Sequence, residues 1–193
     1  MLDPADYSNL NDEIIAEKSL KNTEFFGILM TRYKSKLLSY ILKISDITAA
    51  EAEDLLQDTF IKAYLNLNSF NPQLKFSSWI YRIAHNEVIN HYHKNKNKVS
   101  LDYNLSPEIV ARLINNYDAG RVLDQSYLAE SIKKALAAMD LKYREVLILK
   151  FWEEKDYQEI SDILKKPLGT VSTLVSRAKI RLAEELKKNN FKY

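Results

Sequence analysis

The chain has 193 residues, room for one ordinary domain or two small ones, with the 46% hydrophobic and 28% charged residues of a globular protein, not a disordered one. It contains no cysteine, which excludes disulfides and thiolate metal sites and suits a reducing cytoplasm. The formal net charge of +2 is too small to mark a nucleic-acid binder, so any such binding must rest on local patches.

Only three glycines and four prolines occur, and long stretches without either favour helices. The opening MLDPADYSNLNDEIIAEK is acidic and has no apolar core, unlike a signal peptide, and no apolar run approaches the roughly 20 residues of a membrane span. A first strong helix is predicted from about Glu24 to Ile44, with Phe25, Ile28, Leu29, Tyr33, Leu37, Tyr40 and Ile41 at helical spacing. A second opens at Thr48, where Glu51 follows three residues later in a capping-box pattern, and runs to about Asn66. LNSFNPQLK then reads as a loop, interrupted by Pro72. A third helix carries WIYRIAHNEVINHYH and runs on into HKNKNK. Ile80, Ile83, Ala84 and Val88 gather on its core side. Trp79, Arg82, Asn86, Asn90 and His93 share another arc of roughly 80°. Two accounts fit that arc: a buried Trp beside ordinary surface polars, or a face that reads something.

From about Val99 to Leu128 the periodicity weakens around Pro107, Gly120 and mostly acidic charges, the pattern of a linker. Helical periodicity resumes in SIKKALAAMDLKYREVLILKFWEE, DYQEISDILKK and TVSTLVSRAKIRLAEELKK. A tether of roughly 30 residues is longer than connections inside compact domains usually run, so two domains are expected.

DYQEISDILKKPLGTVSTLVSRAKIRL has the form helix, tight turn, helix. Asp156 and Glu159 cap the first helix, and Ile160, Ile163 and Leu164 form its inner face. The turn falls at KKPLG, with Pro167 and Gly169 separating the helices. In the second helix Val171, Leu174, Val175, Ala178 and Leu182 lie inward, while Thr170, Ser172, Thr173, Ser176, Arg177, Lys179 and Arg181 face out. Small hydroxyl residues followed by cations suit entry into a major groove. A plain helical hairpin would show Glu–Lys pairs there instead, and this face has no acid before Glu184.

LKYREVLILKFWEEKDYQEISDILKKPLGTVSTLVSRAKIRL resembles the fourth region of bacterial RNA polymerase sigma factors. EAEDLLQDTFIKAYLNLNSF and FSSWIYRIAHNEVINHY resemble their second region, in the small extracytoplasmic-function form. The resemblance covers most of residues 22–98 and 129–188, in the family's order. It implies that Asp54, Gln57, Asp58 and Ile61, with Leu65 on the same stripe, dock on the clamp coiled coil of core RNA polymerase; Ile61 and Leu65 equally fit a core role. It implies that Asn86 and Asn90 bond to bases or backbone of the melted non-template strand at the minus-ten element. Ser69 and Phe70, in the loop 66–75, would form much of a base pocket, with Trp79 fixing that loop against the helix. Arg82, Lys94, Lys96 and Lys98 would meet phosphates.

At the minus-thirty-five element Arg177 is the implied base contact, with Thr170, Ser172, Thr173 and Ser176 beside it and Lys179 and Arg181 on phosphates. The chain departs from the family in having Ser172, Thr173 and Leu174 where Lys and Arg are usual. It also has Lys165 where a turn glycine is common, which costs stability if positive φ is required. The acidic linker would lie in the RNA-exit path or serve as a plain tether. Residues 1–21 carry no functional assignment.

The expected architecture is all-α, with two small helical domains. Residues 1–98 would form a three- to four-helix region-2 bundle with extension 1–21, residues 99–128 a flexible linker, and residues 129–193 a region-4 helix-turn-helix domain. The expected function is transcription initiation in the cytoplasm, with core RNA polymerase, promoter DNA (duplex and melted strand) and an anti-sigma factor as partners. Neither enzymatic chemistry nor a cofactor or metal is expected. His91 and His93 point about 160° apart on one helix, and no HExxH pattern or phosphate-binding glycine loop occurs. The alternatives are a helix-turn-helix regulator that is not a polymerase subunit, and a polymerase adaptor that touches no DNA.

Overall fold

The computed structural model describes residues 7, 9–45, 47–94, 113 and 125–188, with the side chains of 94 and 125–128 excepted. Lys96, Lys98, the side chain of Lys94 and nearly all of the linker therefore lie outside the described residues. Among those described, all regular structure is helical, in two compact units.

The first unit holds α1 (Asp12–Ser19), α2 (Glu24–Ile44), α3 (Ala49–Leu65), a 3-10 turn (Leu67–Ser69) and α4 (Phe76–Lys94). Helix α2 has the predicted bounds and buries Phe26, Ile28, Leu29, Tyr33, Leu37, Tyr40, Ile41 and Ile44. Phe25, expected in that stripe, is only half-buried; its ring meets Tyr7 edge-on at 5.1 Å, and Phe26 takes the core position. Helix α3 starts in the Thr48–Glu51 capping box and buries Ala52, Leu55, Leu56, Thr59, Phe60 and Ala63. Lys62 reaches across from α3 to the nearly buried Glu87 of α4 at 2.5 Å. In α4, Phe76, Ile80, Tyr81, Ala84 and Val88 are buried, whereas Ile83 is half-buried. Tyr81 completes the stripe, its ring tilted against Tyr40 with centroids 5.1 Å apart.

Helix α1 was not expected as a regular element. It holds one apolar cluster, Ile14-Ile15-Ala16, too short to display a helical repeat. Its anchor is tertiary. Ile15 and Ala16 are buried, and full burial of an Ile contributes roughly 1.5–3 kcal/mol. Asp12 accepts hydrogen bonds from Arg32 at 2.6 Å and from the Tyr33 hydroxyl at 2.5 Å. Arg32 also donates to the carbonyls of Leu10 and Tyr7, at 2.8 and 2.7 Å. Burial and the Asp12 carboxylate push the Tyr33 phenol above its ordinary pKa, so it stays a donor.

The second unit holds α5 (Gln125–Ala138), α6 (Leu141–Leu147), a π-turn (Ile148–Trp152), α7 (Tyr157–Leu164) and α8 (Leu168–Lys188). The segment that reads as one periodic run from Ser131 is broken. Helix α5 begins earlier, at Gln125 inside the stretch assigned to the linker, and ends before Met139 and Asp140. Asp140, with φ −54 and ψ 140, restarts the chain as α6, and the buried Arg144 bonds the Met139 carbonyl at 3.2 Å across the break. Helix α8 packs on α5 and α6 through Val171, Val175, Ala178 and Leu182.

Candidate nucleic-acid and polymerase interfaces

The helix-turn-helix is set by backbone chemistry at its turn. Asp156 and Glu159 form the predicted reciprocal cap of α7, with bonds of 3.0 and 2.7 Å. At the far end Lys165 has φ 53, and the Lys166 N–H donates to the Ser161 carbonyl at 3.2 Å. That is a Schellman closure with lysine in the left-handed position usually taken by glycine. Gly169 does not serve the turn. It lies in the first turn of α8 without positive φ, and α8 begins at Leu168, two residues earlier than its apolar pattern suggests. Lys165→Gly is therefore expected to stabilise the protein by about 0.5–1 kcal/mol, since it relieves a left-handed side chain at some entropic cost. Thermal denaturation checks this, and a lowered midpoint would show that the turn is not strained.

Along α8, Thr170, Ser172, Thr173, Ser176, Arg177 and Arg181 are exposed. The Thr173 hydroxyl donates to the Gly169 carbonyl at 2.8 Å, so its remaining capacity is to accept. Arg181 leans on Glu184 at 3.1 Å, an exposed pair that a phosphate can displace at small cost. Lys179 is half-buried, with its ammonium 5.2 Å from the Phe151 ring centre, so it faces outward less fully than its spacing implies. Leu174, placed inward from sequence, is also half-buried.

In the first unit, Asn86 and Asn90 are exposed one turn apart on α4, and Arg82 lies one turn before Asn86. Trp79 is neither core nor free surface. Its ring lies 5.3 Å from Phe70 and 5.6 Å from Phe76, and Phe70 lies 5.4 Å from Phe76. This three-ring cluster holds the loop that carries Ser69 against the start of α4. Ser69 is exposed and donates to the Asn66 carbonyl at 2.7 Å, while Asn71 closes the next turn on the Gln73 N–H at 3.0 Å.

Helix α3 turns Asp54, Gln57, Asp58 and Ile61 outward. Ile61 is 56% exposed and Leu65 70%, so neither is a core residue. Gln57, Ile61, Tyr64 and Leu65 line an apolar groove of about 830 Å³ against Phe26 and Met30 of α2; Asp54 and Asp58 are not among its lining residues. The groove was not evident from sequence, because no single helix contains it. Among the described residues, no helix is long and apolar enough to cross a membrane, and no group of three His, Asp or Glu residues could hold a metal ion.

A four-helix unit with an amide-bearing helix is thus followed by a helix-turn-helix unit with hydroxyls and cations on its outer helix, a two-unit all-α architecture. Residues 29–98 match sigma-70 region 2, and residues 129–182 match sigma-70 region 4. The chain is 31% identical over 185 residues to the ECF RNA polymerase sigma factor SigW of Bacillus subtilis, covering 91% of this chain and 98% of that protein. It belongs to the ECF RNA polymerase sigma factors. The sigma factor RpoE of Bartonella quintana, solved in complex with the anti-sigma factor NepR, is 25% identical with a TM-score of 0.60, over 84% of this chain and 96% of that one. CnrH, solved with the cytosolic domain of CnrY, shares the fold at 23% identity and a TM-score of 0.67, over 92% of this chain and 97% of that one.

Proposed function

We propose that the protein joins core RNA polymerase through α3 and the adjoining groove, and directs it to promoters by reading two separate DNA elements. Helix α4 and the Ser69–Phe70 loop take the minus-ten element as it melts; α8 takes the minus-thirty-five element in duplex form. The observation that carries this reading is the pairing of family and surface. Matches to regions 2 and 4 fall in order on separate helical units, and Asn86, Asn90, Ser69, Thr170, Ser172, Thr173, Ser176, Arg177 and Arg181, which the resemblance assigns to DNA, are exposed. The chain makes and breaks no bonds; nucleotide addition belongs to the polymerase, and the site of action is the cytoplasm. A relative solved with an anti-sigma factor supports regulation by a protein of that kind.

The test is transcription in vitro with bacterial core enzyme and a library of random promoters. Start sites that depend on this chain and enrich a two-part sequence support the reading. Repression of DNA transcribed by another initiation factor would favour an ordinary helix-turn-helix regulator instead. Within that assay Arg177→Ala is expected to weaken minus-thirty-five recognition by about tenfold and to relax one base preference, because a bidentate arginine contact discriminates by roughly 1–3 kcal/mol. A uniform loss across all sequences would reassign Arg177 to a phosphate.

A further inference from the structure

We propose that Glu13, in the N-terminal extension, is a positioning residue for the DNA-reading helix α4. This inference rests on the assignment of α4 to the minus-ten element. The residue before Phe76 is Lys75, whose side chain offers no acceptor oxygen to an orphan N–H at the start of α4. The missing acceptor comes from a distant helix. Glu13 Oε1 accepts the Phe76 N–H at 2.8 Å, from 63 residues away in sequence. A carboxylate there also meets the positive end of the α4 dipole.

The acceptor of this cap is itself fixed. The preceding residue, Asp12, is held by Arg32 and the Tyr33 hydroxyl, and Ile15 and Ala16 are buried two and three residues on. The consequence runs directly into the reading surface. Phe76 is fully buried, with its ring against Tyr33, Phe70 and Trp79 at 5.4–5.6 Å. Moving the Phe76 backbone therefore moves the ring that seats Phe70, and with it the loop bearing Ser69. Helix α1 thus belongs to the DNA-reading unit, although it supplies no side chain to DNA.

The test uses holoenzyme assembled from core polymerase and full-length chain, bound to a fluorescent single-stranded non-template oligonucleotide spanning the minus-ten element. Core affinity and thermal midpoint are measured in parallel. Glu13→Ala is expected to lower oligonucleotide affinity by roughly tenfold with core affinity within about twofold. Glu13→Gln, which keeps an acceptor oxygen, should recover most of the loss. Glu13→Asp keeps the charge but is one methylene short, and should lose about threefold; it serves if the alanine variant does not fold. Trp79 fluorescence of the free full-length chain, read in a Trp152→Phe background, should shift with Ala and return toward wild type with Gln.

Wild-type oligonucleotide affinity in the alanine and aspartate variants would overturn the inference and leave the functional reading intact. So would a loss shared equally by core and oligonucleotide binding, which marks mere loosening of the fold. If wild-type holoenzyme itself fails to bind the oligonucleotide, the reading of α4 fails and this inference falls with it.

Discussion

Ile61→Asp is expected to lower affinity for core RNA polymerase by about a hundredfold, with less than about 1 kcal/mol lost from folding. The asymmetry follows from where Ile61 sits. It is 56% exposed on α3, so folding gains little from it, and Ile and Asp differ little in helix propensity. The folding cost left over comes from a new carboxylate near the C-terminal end of α3, three residues from Asp58. Binding is another matter. Met30, Ile61, Tyr64 and Leu65 are each at least 40% exposed and line one apolar groove, which is more unpaired apolar surface than a lone helix face requires. A partner seated there would desolvate the new carboxylate without pairing it, at a cost near the 2.7 kcal/mol that a hundredfold represents. Asp54→Lys and Asp58→Lys should behave differently. Both carboxylates are exposed and neither lines the groove, so they should slow association in a salt-dependent way and change the dissociation rate little. A fluorescence titration with core enzyme, run at two salt concentrations, separates the two effects. If Ile61→Asp binds like the parent, α3 is not the docking face.

What the sequence made legible was whatever depends on neighbours along the chain. Both capping boxes formed as their residues specify, Thr48 with Glu51 and Asp156 with Glu159. The bounds of α2 followed from seven apolar positions at helical spacing between Phe25 and Ile41, although Phe26 rather than Phe25 takes the core position. The left-handed strain at Lys165 was readable as a missing glycine, although Gly169, four residues on, was wrongly given part of the turn. What stayed hidden was set by tertiary contact. Helix α1 has too few turns to show a period, and its register is fixed by Arg32, Tyr33 and the first N–H of α4. The break at Asp140 is closed by Arg144 reaching back to the Met139 carbonyl, which no local pattern announces. The groove needs Met30 and Phe26 from one helix beside Ile61 and Tyr64 from another. For Trp79 and Phe70 the family resemblance suggested the partnership, and the tilted ring contact supplies its geometry.

Asn86→Ala combined with Asn90→Ala is expected to slow promoter opening by about a hundredfold while raising thermal stability slightly. Both side chains are exposed on α4, one turn apart. Alanine is the better helix former by several tenths of a kcal/mol at each position, so the double variant should melt no lower than the parent. An amide facing a base edge loses about 1–3 kcal/mol of recognition when truncated, and two such losses on one strand compound or couple within that range. Stability and function therefore move in opposite directions, which removes misfolding as an explanation. Opening can be followed with 2-aminopurine placed in the minus-ten element, whose fluorescence rises as its base leaves the stack. Minus-thirty-five duplex binding and core affinity serve as controls and should not change, because α8 and α3 are untouched. A double variant that opens promoters at the parental rate would show that the polar face of α4 is ordinary solvated surface. Recognition of the melted strand would then have to come from the Ser69–Phe70 loop alone.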